Sequence, residues 1–286
     1  SKFASKGGAG VAGTANQFAA KQTAIRFIGP WEVNQYMAAR LNFKPRPWLE
    51  FGLSRTAQWC GEGRPCDWGT FADLLVGKDN RGDTLSVAEE PGNQMAGYDF
   101  RLRSPWRKLP VAVYGQLIGE DEAGGLPSRF IGQVGAEVWG GASAGSWRAR
   151  FEFSDTACSF PRRAPQYGCA YRNGLYPQGY THRGPMIGHP LDNDGRQYTL
   201  AGILVRPSGV AISVSLNRIE LNRDDRPDLA HLRSPAGASE LSNIEVEVTG
   251  TWIGGDWTVG VGYDDASGAS LSSTARGFLR YSRGLR

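Results

Sequence analysis

Nowhere does the chain approach the ~20 consecutive apolar residues that a helix needs to cross a bilayer, so no stretch of it reads as a transmembrane helix. Histidine is scarce: His182, His189 and His231 are too few and too far apart for a metal centre. The four cysteines form no CxxC pair, so a zinc site has no support. A basic block is also missing. The net charge of +4 arises from scattered residues and the pI is near 8.9. That sets nucleic acid aside and makes acidic polysaccharide or lipopolysaccharide the more natural partner. The opening Ser1-Lys2-Phe3-Ala4-Ser5-Lys6-Gly7-Gly8 carries no apolar core of a signal peptide. Residues 1–22 read as a flexible lead or plug segment, and the start as a processed or incomplete N-terminus.

What is present is a period of two. Trp147, Ala149, Phe151 and Phe153 alternate with Arg148, Arg150, Glu152 and Ser154. Ile244, Val246, Val248 and Trp252 oppose Glu245, Glu247, Thr249 and Thr251. Tyr98, Phe100 and Leu102 oppose Asp99, Arg101 and Arg103. Such alternation specifies a β-strand with two different environments. The stretches are about 9–12 residues long, enough for a tilted strand to cross a bilayer, whereas soluble strands average about 5–6. Some 12–13 of them follow one another in residues 23–286.

The connections are of two kinds. Lys44-Pro45-Arg46-Pro47, Ser104 to Lys108, Gly140 to Ser146, Arg206-Pro207-Ser208-Gly209 and Ile253-Gly254-Gly255-Asp256 are short. Cys60 to Met95, Glu120 to Ser128, Ser154 to Gln178 and Asn222 to Glu240 are long. The link at Asn34-Gln35 is either a very tight hairpin or a place where sequence is missing. Short turns on one side and long loops on the other are the layout of an outer-membrane β-barrel. Composition agrees: 40% hydrophobic residues, 39 glycines and a mean hydropathy of −0.39, because half of each such strand is polar. Trp31, Trp59, Trp106, Trp139, Trp147, Trp252 and Trp257 sit near strand ends, where aromatic girdles lie.

The expected fold is therefore all-β: an antiparallel transmembrane barrel with short periplasmic turns and long extracellular loops. Phe51, Leu53, Phe100, Val134, Phe151, Val246 and Val259 face lipid, and Arg101, Arg150, Glu152 and Glu247 face the lumen. With Arg40, Glu50, Asp99, Arg103, Arg148 and Glu245, the lumen charges mix both signs, unlike the single-sign ring of a selective pore. The soluble alternative, a β-sheet glycosidase or lectin, needs the apolar face closed inside. Cys60–Cys66 and Cys158–Cys169 are local pairs in or beside long loops, suited to disulfides in an oxidising compartment.

Seven segments resemble the capsule assembly protein Wzi family. They are GLSRTAQWCGEGRP (52–65), DNRGD (79–83), EPGNQMAGYDFRL (90–102), YGQLIGEDEAGGLPS (114–128), EFSDTAC (152–158), YRNGLYPQGYTHRGPMIGH (171–189) and RIELNRDD (218–225). Their order and spacing carry the match, which is to the later part of the family sequence. The resemblance implies an outer-membrane barrel of about eighteen strands, within the size range of such barrels. It also implies a lectin rather than an enzyme, anchoring capsular or extracellular polysaccharide at the cell surface.

Aromatic faces and planar hydrogen-bonding groups make a sugar site, and arginine grips a sugar carboxylate bidentately. Trp59, Arg64, Trp68, Arg81, Asp83, Tyr171, Tyr176, Tyr180, His182 and Arg183 are the candidates, set against the plainer reading that these side chains knit the loops together. Glu120-Asp121-Glu122 invites a glycosidase reading, but adjacent strand residues point apart. Asp192-Asn193-Asp194-Gly195 resembles part of a calcium loop without its downstream glutamate, and reads as a turn. No cofactor is expected. The expected partners are the polysaccharide, outer-membrane lipid, lipopolysaccharide and polysaccharide export proteins. A conduit for the polymer is the alternative function.

Overall fold

The structure is a computed structural model. It describes residues 34–61, 64–76, 92–106, 108–123, 126–158, 160–161, 164–172, 176, 179–182, 186–226, 235, 237–252, 254–268 and 271–283. These form one antiparallel sheet of eleven strands in sequence order. The strands are β1 (Gln35–Arg46), β2 (Leu49–Trp59), β3 (Gly92–Arg103), β4 (Val111–Ala123), β5 (Leu126–Ala142), β6 (Gly145–Asp155), β7 (Arg196–Val205), β8 (Ala211–Leu221), β9 (Ser239–Trp252), β10 (Gly255–Gly268) and β11 (Thr274–Ser282). One helix, α1 (Trp68–Val76), lies between β2 and β3. Among the described residues β1 and β11 each have a single neighbour in the sheet.

The register explains why the alternation is so regular. Phe151, Leu200, Leu216, Ile244 and Tyr263 stand directly opposite one another across five strands. Each is between 42% and 52% exposed. One residue along, Glu152, Thr199, Asn217, Asn243 and Asp264 form the matching ladder on the other face. Those side chains bond one another: Thr199 Oγ1 donates to Asn217 Oδ1 at 2.7 Å, and Asn217 Nδ2 donates to Asn243 Oδ1 at 3.0 Å. The sheet is inverted relative to a soluble core, with apolar groups exposed and polar groups paired. An unbroken exposed apolar face of this size has no place in water. It is the lipid-facing side of a transmembrane β-barrel wall.

All seven residues expected to face lipid lie on this apolar face, with Phe51, Leu53, Phe100, Val134, Phe151 and Val259 exposed and Val246 half-buried. Arg101, Arg150, Glu152 and Glu247 lie on the opposite face. Trp147, Trp252 and Trp257 join Tyr281 near the short-turn end, with the Trp257 and Tyr281 rings 4.5 Å apart. Trp139 instead points into the lumen, where the Arg103 guanidinium covers its ring at 4.9 Å.

Three boundaries differ from the sequence expectation. The 120–128 connection is mostly strand, because β4 and β5 run on to Ala123 and Leu126 as a long hairpin. The 60–95 connection contains α1, a helix too short to register as a period. Eleven strands are seen among the described residues rather than 12–13; the strand expected before Asn34, the 1–22 lead and Trp31 lie outside them. Gln35 begins β1 by pairing with Trp59.

Candidate functional site at the capped mouth

At the long-loop end, the described residues between 156 and 195 fold across the lumen face. The base is closed by Thr156 and Gly195: Thr156 N donates to Gly195 O at 2.9 Å, and Gly195 N to Thr156 Oγ1 at 3.0 Å. The Cys158–Cys169 disulfide and the Cys158–Gln166 bridge then shape the first turn. From there the chain is held to the inward-pointing ends of β1, β2 and β3. Tyr180 Oη donates to Asn93 O at 2.8 Å, and Tyr36 Oη to Thr181 O at 2.7 Å. Gln58 Nε2 donates to Tyr36 Oη at 3.1 Å and to Gly179 O at 3.3 Å. Gly179 has a φ of +65°, and a Cβ there would lie 2.5 Å from Tyr171 O, so only glycine fits this crossing. An apolar cluster of Met95, Ile131, Cys158, Ala170, Tyr171 and Tyr180 fills the space beneath.

Charge is also built into the cap. Asp155 is gripped by Arg196 and Arg223, both at 3.1 Å, and Arg223 lies over the Tyr167 ring at 5.5 Å. The Asp194 carboxylate accepts the Gly168 N–H at 2.9–3.0 Å. Burial nevertheless pushes its pKa up to about 6, with the Gly168 bond opposing. Burial pushes His189 down to about 4, so the imidazole is neutral at pH 7. Asp192 and Asp194 adopt positive φ, at 56° and 57°. With Asp194 committed to Gly168, the Asp-Asn-Asp-Gly run is part of the cap framework.

The sequence candidates separate into four groups. Tyr171, Tyr176 and Tyr180 are 4%, 3% and 1% exposed and hold the cap from within. Tyr171 Oη accepts from His189 N at 2.9 Å, and Tyr176 Oη donates to Cys60 O at 3.2 Å. Burial pushes the Tyr176 hydroxyl up, against the pull of Arg64, which lies over its ring at 5.8 Å. Trp59 is 2% exposed and lies on the opposite side of the wall, because its strand parity matches Phe51 and Leu53. Trp68 is on α1, on that same outer side. Arg64 is half-buried, and His182 is exposed on the cap beside Thr181. Arg81, Asp83 and Arg183 lie outside the described residues. Sequence reasoning missed Tyr36, Gln58 and Asn93, whose signal was their inward parity at strand ends that meet a long loop.

The other end of the lumen wall holds a cleft of about 220 Å³ lined by Lys44, Glu50, Arg101, Arg103, Glu137, Trp139 and Arg148 among others. Arg101 pairs with Glu137, and Arg148 approaches the same carboxylate at 3.9 Å. The cleft is a mixed-charge lining.

The chain is similar to known proteins. The profile of the capsule assembly protein Wzi family matches residues 14–275. An uncharacterized 55.8 kDa protein in the cps region of Klebsiella pneumoniae is 40% identical over 151 residues, covering 46% of this chain and 29% of that protein. Wzi of Escherichia coli is an outer membrane protein involved in group 1 capsule assembly and a carbohydrate-binding β-barrel; its structure matches with a TM-score of 0.69 at 26% identity. That match covers 85% of this chain and 49% of the E. coli one, so the chain spans about half of the solved barrel. With the family's profile matched from residue 14 to residue 275, the chain belongs to the capsule assembly protein Wzi family.

Proposed function

We propose that the protein is an outer-membrane barrel that binds capsular or extracellular polysaccharide at its capped mouth, with the long loops toward the cell surface and the short turns toward the periplasm. One observation carries the choice of anchoring over transport. The cap is braced internally by its disulfide and pinned to the wall by hydrogen bonds from Tyr36, Gln58 and Tyr180, which makes a fixed surface rather than a moving gate. On this reading the buried tyrosines shape the surface, and Arg64, Arg172, His182 and Arg183 meet the polymer. Guanidinium groups suit the carboxylates of acidic sugars. The protein acts by retention and breaks no bond in the glycan.

The test is a variant with Arg172→Ala, His182→Ala and Arg183→Ala. The expected result is polysaccharide released into the medium, with total polymer and barrel assembly unchanged. Polymer that stays cell-bound removes this surface from the reading. Polymer trapped in the periplasm identifies a conduit, and shortened chains after incubation with purified protein identify a glycosidase.

A further inference from the structure

Helix α1 lies on the outside of the barrel, not over its mouth. Its Phe71 and Leu74 pack on Met37, Ala57 and Trp59, and the Trp59 and Phe71 rings are 5.1 Å apart. Register fixes which face this is. Met37 pairs with Ala57, and two residues further along the same face of each strand come Ala39 and Arg55, then the exposed Leu41 and Leu53. The helix therefore sits on the lipid-facing side, directly beyond the end of the apolar band.

The helix is also fastened there. Asp67 caps its start, its Oδ1 accepting Thr70 N at 2.9 Å. Arg55 reaches up from the wall and donates to the carbonyls of Leu74 and Leu75, at 2.8 and 3.0 Å, where the helix dipole favours a cation. The Cys60–Cys66 disulfide shortens the tether between β2 and the helix. What this construction leaves outward is apolar. Trp68 is 74% exposed and Leu75 is exposed as well. At about 100° per residue, Trp68, Ala72 and Leu75 fall within about 60° of arc on one flank of the helix. Asp73 and Thr70 lie on the opposite flank, and Phe71 and Leu74 face the wall. Three stripes at right angles describe a helix lying along a surface, between a wall, a nonpolar phase and water.

We propose that α1 is an interfacial anchor, with Trp68, Ala72 and Leu75 seated in the headgroup–acyl boundary of the outer leaflet. The occupant is bilayer lipid, because the flank continues the lipid-facing band of Leu41 and Leu53. Tryptophan is the side chain enriched at this depth, its ring apolar and its N–H reaching water. The anchor would hold one side of the rim at a fixed height in the membrane, whatever the mouth binds.

The test uses full-length protein in vesicles of lipopolysaccharide and phospholipid, with a nitroxide label on a cysteine at Ala72, Asp73 or Leu75. All three positions are exposed, so the packed Phe71–Leu74 stripe is untouched. Mass spectrometry verifies that Cys60–Cys66 and Cys158–Cys169 stay paired in each variant. Collision with dissolved oxygen should exceed collision with a water-soluble nickel chelate several-fold at positions 72 and 75, and the order should reverse at 73. Equal nickel access at 72, 73 and 75 overturns the proposal. Protection of 72 and 75 that arises only when polysaccharide is added also overturns it, and makes the flank a sugar contact instead.

Discussion

Two ladders in this sheet differ by a single residue of offset. One runs Phe151, Leu200, Leu216, Ile244, Tyr263; the other runs Glu152, Thr199, Asn217, Asn243, Asp264. They use the same five strands and the same antiparallel register. The first makes no specific side-chain bonds and needs only a nonpolar solvent. The second is a chain of named donors and acceptors, extended by Arg276, which pairs with Asp264 and with Glu245 at 2.6 Å. The difference shows where the wall gets its register. A slip of one residue would put the carboxylates in lipid and the leucines against the lumen network, so both sides of the bilayer problem reject it.

The largest break comes from writing one ladder into the other. Phe151→Arg, mid-strand on the lipid side, should cost about 2–4 kcal/mol in urea unfolding from vesicles. An unchanged midpoint would contradict the lipid assignment. The cap disulfide comes next: Cys158→Ser with Cys169→Ser should cost the cap about 2–3 kcal/mol through the freed loop. Limited proteolysis should then cut the 156–195 segment while the barrel core survives. On the polar ladder, Asn217→Leu removes the acceptor for Thr199 and the donor for Asn243, and should cost about 1–2 kcal/mol. If it costs as much as Phe151→Arg, the two faces are not the different environments described above.

The smallest effect is a pH dependence of the cap, and its sign needs both titrating groups. His189, lowered from 6.5 to about 4, leaves stability intact above 6.5 and withdraws it as pH falls toward 4. Asp194, raised from 3.8 to about 6, does the reverse: its burial is least costly when protonated, and stability is lost as pH rises through 6. Between about pH 4 and 6 the two oppose, so hydrogen-exchange protection factors in the cap, corrected for the intrinsic exchange rate, should be nearly flat with pH. Asp194→Asn removes one side, and the cap should then loosen steadily on acidification. A variant as flat as the parent would show that His189 does not titrate this way.

The strand faces were legible because each strand carries its own period. Phe151 and Arg150 declare opposite sides without reference to any neighbour, and Cys158 and Cys169 declare a local pairing. The tyrosines of the cap were not legible in the same way. Tyr171, Tyr176 and Tyr180 have the composition of a sugar site, and sequence could not show that they are buried with their hydroxyls bonded to His189, Cys60 and Asn93. Helix α1 was hidden for a different reason: nine residues hold too few turns for periodicity to outweigh the surrounding loop.

Eleven alternating strands end as they began, so β1 and β11 run in the same direction. Joined to each other they would make a parallel seam in an otherwise antiparallel wall. An antiparallel closure takes an odd number of further strands, supplied from beyond these eleven, and the one beside β1 must run opposite to it. Until that seam is zipped, two rows of amide groups face hydrocarbon, each unsatisfied one costing several kcal/mol. An open wall with those edges unpaired is therefore not stable in hydrocarbon. Pairing of the two edges and stability in lipid are thus coupled, whereas the eleven-strand meander between them is built from sequence neighbours alone.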